Sequence, residues 1–261
     1  MKLIAKAVLV LGMVVLTGCA TTSVREHPQI ENHLKRVESV VIAPPVVSVE
    51  KVNFTGENER LVEVEDSIRT ELVKLAKAGL EQHGFEVIEF DFEQALQEDE
   101  DFAYTVTQVR EGFDQAKALL YKGGAVYEEN KRDVSASVGT AVNMVSERTG
   151  ADAVMLMHFS GMKKSGGEVA KDIAVSVMLT LLTGSTPISN SEASYVEIAF
   201  IDGVTGDVIW SNVNTIAQLS AAVADGALNK LPQDIDPVLA SNETGISEIS
   251  PEPVRVELDA E

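Results

Sequence analysis

The sequence predicts an α/β fold: a single domain with a central mixed β-sheet flanked by helices and ending in an antiparallel hairpin. Three observations carry this. Ala153 to Phe159 (Ala-Val-Met-Leu-Met-His-Phe) is a nearly continuous apolar run, which marks a strand covered on both faces and therefore central in its sheet. Strand-like segments alternate with amphipathic stretches, an order that implies crossover connections with helices packed on the sheet. Tyr195 to Asp202 and Asp207 to Asn212 flank Gly203-Val204-Thr205-Gly206, a strand, a tight turn and a strand.

Taken in order, Val37 to Ala43 is a β-branched strand stopped by Pro44-Pro45, neither of which can donate to a ladder. Ile68, Leu72, Leu75, Ala76, Gly79 and Leu80 keep helical spacing. Asp66 or Ser67 is the expected cap of that helix, and Gly84 its left-handed terminator. Phe85 to Phe90 alternates and reads as a half-buried strand. Glu89 to Asp101 carries seven acids in thirteen residues. It lacks the Asp-x-Asp-x-Asp-Gly spacing and turn glycine of a calcium loop, so a solvated acidic loop is expected. Val106, Val109, Phe113, Ala116 and Leu120 define a second helix. Val134, Val138, Val142 and Val145 define a third, from Asp133 as cap to Gly150. Ala217 to Leu231 reads as a closing short helix.

The ends of the chain have a different character. Residues 1–18 have a basic start, an apolar run from Ala7 to Leu16 and the closing Leu16-Thr17-Gly18-Cys19. That layout is a secretory signal, too short to span a membrane. It ends on the only cysteine of the chain, the pattern of a bacterial lipobox in which the Cys19 thiol is acylated and becomes the mature N-terminus. Residues 19–35 are polar and without period, the composition of a lipid-anchored tether. Residues 36–231 form the α/β domain, and 232–261 an acidic tail expected to be disordered.

Charge narrows the partners. Of 21 basic residues, cleavage before Cys19 removes Lys2 and Lys6, leaving 19 against 41 acids, a charge of −22. Nucleic acid and anionic head groups both require basic patches, so neither is an expected partner of the body. With Cys19 acylated, no thiol remains for a disulfide or a metal site.

No catalytic constellation is found. Gly-x-Ser-x-Gly, dinucleotide-binding, phosphate-loop and His-Glu-x-x-His motifs are all missing. Ser160-Gly161-Met162-Lys163 has Ser-x-x-Lys spacing but leaves a strand, where residues three apart face opposite ways. His27 and His33 fall in the tether, His83 at a helix end and His158 in the central strand. No two are spaced as metal ligands, and His158 is expected as a hydrogen-bonded core histidine. Trp210 reads as a core or rim aromatic. No catalytic residue, metal site or cofactor is expected. Cys19 is the one site residue, as the point of lipidation. Ile173 to Leu182 is apolar almost throughout; a buried helix, a subunit contact and a membrane-inserting segment remain open for it.

The motif order resembles one bacterial lipoprotein superfamily. The lipobox, Val-Val-Ile-Ala-Pro-Pro on the first strand, Gly-Phe-Glu-Val-Ile after the first helix, Gly-Ala-Asp-Ala-Val-Met-Leu on the central strand and Asp-Gly-Val-Thr-Gly-Asp-Val-Ile-Trp-Ser on the final hairpin look like the group containing the curli-secretion channel lipoprotein, the lipoprotein activators of penicillin-binding proteins and the Pel exopolysaccharide lipoprotein. The resemblance covers about Val37 to Asn212. It implies a non-enzymatic, periplasm-facing domain that binds other envelope components, often as a homo-oligomeric ring. Ala20 after the cysteine implies sorting to the outer membrane. The expected function is that of an outer-membrane-anchored accessory or assembly factor in envelope biogenesis or export, acting on proteins or polymers. The alternative is an oligomeric subunit of a secretion or export pore. Channel members pair amphipathic membrane strands, whereas this sequence offers one candidate segment, 173–182.

Overall fold

A computed structural model describes residues 21–53, 57–164 and 192–233. Cys19, the 173–182 stretch and nearly all of the acidic tail lie outside these. The architecture is the expected one: a mixed sheet with helices on both faces.

The strands are β1 (Thr21–Thr22), β2 (Arg25–Glu26), β3 (Ser39–Ile42), β4 (Val46–Val52), β5 (Glu59–Arg60), β6 (Glu86–Ile88), β7 (Val126–Tyr127), β8 (Ala153–Lys164), β9 (Glu192–Asp202) and β10 (Val208–Ile216). The helices are α1 (Ile30–Leu34), α2 (Val62–Gln82), α3 (Phe92–Glu98), α4 (Glu100–Leu120), α5 (Ala141–Thr149) and α6 (Val223–Leu228). The main sheet runs β2-β10-β9-β8-β3-β6, with β4 also on β8 and β5 on β4. β3 and β4 lie parallel to β8, whereas β9 is antiparallel to β8 and β10 antiparallel to β9.

The apolar run does set the centre. On β8, Ala153, Met155, Met157 and Phe159 face one core with α1, α2 and α6. Val154 and Leu156 face the other with α3, α4 and α5. Along the edge of β8, β3 and β4 form one interrupted strand. Ile42 lies opposite Met155 and Val46 opposite His158, so the stretch holding Pro44-Pro45 carries one residue more than β8 does, as in a bulge. The carbonyls there are not wasted: Arg110 of α4 donates to Pro44 O at 2.9 Å and Arg69 of α2 to Pro45 O at 3.4 Å.

Several expectations are corrected. Residues 21–34 are not a solvated tether. β1 pairs with β7 and β2 with β10, and Val24, Arg25, Ile30, His33 and Leu34 are buried. A polar segment lacking a period over sixteen residues still enters a fold when each short piece finds its own partner. The 89–101 stretch is mostly helical: Asp91 accepts from Gln94 N–H, and Asp99 from Phe102 N–H. Five of its seven acids, Asp91, Glu93, Asp99, Glu100 and Asp101, thus serve as N-caps and first-turn residues, where the helix dipole favours them. The third helix begins only at Ala141. Gly139 has φ +86°, Val138 N–H bonds Gly206 O, and Val208 N–H bonds Ala136 O, so residues 136–138 run extended beside the hairpin turn. The first helix starts at Val62, placing Asp66 and Ser67 inside it, while Gly84 is left-handed at φ 98° as expected. The strand at 85–90 is only three residues long.

Candidate functional site

The sheet carries two unequal faces toward its 164/192 end. On the first, α6 and the segment before it reach the strand ends. Gly161 admits the Leu219 side chain so closely that a Cβ there would stand 2.5 Å from it. On the second, the apolar cover stops after Leu156 and Ala199. Beyond it, His158, Ser160 and Met162 of β8 and Glu197, Tyr195 and Ala193 of β9 are half-buried, and Val46, Ser48 and Glu50 of β4 are exposed. This polar sheet face, bordered by the ends between which residues 165–191 run, is the candidate interaction surface.

A network marks its border. Lys117 of α4 ion-pairs with Glu197 and, at 2.9 Å, with Asp114. Tyr195 Oη donates to Glu197 Oε1 at 2.8 Å. His158 Nδ1 lies 3.1 Å from Lys117 Nζ and 3.4 Å from Asp114 Oδ1, with the Phe113 ring edge-on at 5.2 Å. Burial, then Lys117, holds the His158 imidazole below its usual value. Burial pushes the Tyr121 and Tyr195 phenols up, Glu197 adding to it at Tyr195. At neutral pH the phenols stay protonated and the imidazole neutral, and the cation and carboxylate are spent on each other. The arrangement binds itself together and leaves no activated nucleophile. Across the other face, α2, α6 and the strand ends line a shallow groove of about 450 Å³ that mixes Ile68, Leu75 and Leu219 with Glu71, Lys163 and Glu192.

The sequence-derived residues fall as follows. Ser160 and Lys163 point to opposite faces, and Lys163 pairs with Glu192 at 2.8 Å, so the Ser-x-x-Lys spacing has no chemistry. Trp210 is fully buried. His83 lies 2.9 Å from Gln233. Cys19 lies outside the described residues. His27 and His33, assigned to a tether, come together with their rings 4.4 Å apart. Burial and then His33 keep the His27 imidazole below its ordinary value.

Sequence reasoning missed the seam that holds the N-terminal segment down. Arg25, buried, donates from Nε to Leu120 O at 2.7 Å and from Nη2 to Gly124 O at 2.6 Å, with its guanidinium over the Tyr121 ring at 5.0 Å. It thereby closes the C-terminal end of α4, where free carbonyls and the dipole favour a cation. Glu26 takes Lys131 at 2.8 Å and Arg132 at 2.7 Å. Asp202 accepts from His33 at 2.7 Å, Arg36 at 2.8 Å and the backbone of Val204 and Thr205.

No helix among the described residues is long and apolar enough to cross a membrane. No family model and no curated protein matches the sequence. Among solved structures the chain is similar to lipoprotein GNA1162 of Neisseria meningitidis, at 12% identity over 80% of this chain and 99% of that one with a TM-score of 0.31. It is similar to a PelC dodecamer of Paraburkholderia phytofirmans at 12%, 77% and 91%, with a TM-score of 0.30. The LpoB C-terminal domain of Salmonella enterica follows at 11%, 73% and 94%, with a TM-score of 0.27. Likeness at this level carries no argument about function.

Proposed function

We propose that the chain is a lipid-anchored protein of the bacterial envelope, held by Cys19 at the periplasmic face of the outer membrane, and that it acts without catalysis as an accessory or assembly factor through protein or polymer contacts. The observation that supports this reading is that Thr21, two residues after Cys19 in the sequence, already pairs with Tyr127 in the fold. Acylation there fixes the body against a membrane rather than letting it range on a leash. The ionisable groups at the polar sheet face support a contact role, since they neutralise one another instead of being poised for proton transfer.

The test places a photo-crosslinking amino acid at Val46 or Ser48 in cells. The expected result is a discrete adduct with an envelope component, lost in Cys19→Ser although that protein stays folded. Absence of any adduct at either position rejects the surface. Detergent-solubilised rings that raise the conductance of a planar bilayer would replace this reading with the pore.

A further inference from the structure

Two histidines of the N-terminal segment and one aspartate of the final hairpin, residues 180 positions apart in the chain at their widest, converge at the base of β10. The candidate ligand atoms of His27, His33 and Asp207 all lie within 4.8 Å of one another, and His33 Nε2 stands 3.8 Å from Asp207 Oδ2. Three ligands around a tetrahedral ion with bonds of 2.0–2.1 Å stand about 3.3 Å apart, so closing this triangle requires shifts of roughly an ångström. His33 is set up for such a role. An ionised carboxylate accepts only, so the 2.7 Å contact with Asp202 favours the His33 proton on Nδ1, against the Arg36 guanidinium 3.1 Å from the same nitrogen. In that tautomer the lone pair is on Nε2, the atom facing Asp207. A carboxylate behind a histidine is the usual support of a metal ligand, fixing tautomer and ring orientation and raising basicity. Here Arg36 and the Val204 and Thr205 amides hold that carboxylate in turn.

The backbone is pinned as well. His27 N–H donates to Ile209 O at 2.8 Å, and Asp207 O accepts from Asp202 N–H at 2.9 Å. His33 is buried, whereas Asp207 and His27 are half-exposed, so an ion can enter and keep water as a fourth ligand. Gln29 N–H donates to His27 Nδ1 at 3.1 Å, a bond the ring must give up to coordinate.

We infer that His27, His33 and Asp207 form a binding site for a divalent transition metal of the zinc class, which clamps the N-terminal segment to the sheet. Imidazole nitrogens with one carboxylate suit such an ion and disfavour calcium or magnesium, which take oxygen ligands.

The experiment uses the full chain, purified from membranes without a polyhistidine tag and stripped with chelator. One equivalent of Zn²⁺ should bind in a calorimetric titration, and at a hundredfold excess over Kd it should raise Tm by about 5–10 °C. Co²⁺ should give the visible spectrum of a tetrahedral site, and Ca²⁺ should do neither. His27→Gln and Asp207→Asn alter half-exposed side chains. Both should fold with the metal-free Tm of the parent and lose at least tenfold in Zn²⁺ affinity. Failure to bind one equivalent, or binding that survives both substitutions, overturns the site. His33→Gln is read only for its cobalt spectrum, because its burial ties it to folding.

Discussion

At the scale of single residues, the chain keeps its main chemistry in side chains that sequence patterns do not single out. Arg25 sits in a run with no hydrophobic period, so nothing in its surroundings marks it as buried. Its role depends on α4 ending at Leu120 and on the turn that brings Gly124 round, 99 positions away. The same holds for His27 and His33: His27 precedes the short α1 that carries His33, so they share no helix face, and their partner Asp207 comes from the hairpin. What was legible was local: Gly84 as a left-handed terminator, and the prolines as the end of the first strand. Arg25→Met keeps much of the side-chain bulk but leaves the Leu120 and Gly124 carbonyls without their donor at a buried helix end. A lost charged hydrogen bond with an orphaned buried partner costs about 2–4 kcal/mol. The expected outcome is a loss of that size in urea denaturation, with Arg25→Lys recovering only part, since a single ammonium cannot reproduce the guanidinium fork. An Arg25→Met protein as stable as the parent would return residues 21–26 to the status of a tether.

At the scale of elements, the long periodic segments were legible and the short ones were not. α2, α4 and β8 follow their apolar patterns because each buries a continuous stripe. β1, β2 and α1, of two to five residues, bury too little for any period to show. The misplaced start of α5 has a definite cause: Val134 and Val138 keep helical spacing with Val142 and Val145, but the chain between them pairs with the hairpin instead. Ser137 forms a bridge with Asp207, and Gly139 turns left-handed before Ala141. That extended piece lies close against α4 at Gly112. A Cβ on Gly112 would lie 2.2 Å from Val138 O and 2.9 Å from its carbonyl carbon. In an exposed helix Gly→Ala stabilises by up to about 1 kcal/mol. Here the sign reverses, because backbone has to move. Gly112→Ala is expected to destabilise by roughly 1–3 kcal/mol, measured as a lower urea midpoint at unchanged m-value, and a stabilised variant would show that α4 and the 136–138 segment separate freely.

At the scale of the whole molecule, the absence of a leash and the acidity of the body act together. Two extended residues reach about 7 Å, so the proposed acylation of Cys19 would hold Thr21 within one Debye length of the bilayer surface at physiological salt. Yet residues 19–231, with 18 basic and 33 acidic side chains and a charge of −15, have no expected basic patch and gain nothing from anionic head groups, which attract roughly 1 kcal/mol per nearby Lys or Arg and repel acids. Under the proposed anchoring, lipid and charge would pull in opposite directions: acyl chains would supply essentially all the affinity, and electrostatics would keep the polar sheet face off its own membrane. The expected outcome is that lipidated protein co-sediments with vesicles containing anionic lipid in low and high salt alike. Cys19→Ser protein, folded by circular dichroism, should remain in the supernatant even at low salt, where attraction to a basic patch would be strongest. If Cys19→Ser protein instead sediments at low salt and is released by raising it, a surface outside the anchor binds the membrane, and the sheet face is then a membrane contact rather than a docking surface for proteins or polymers.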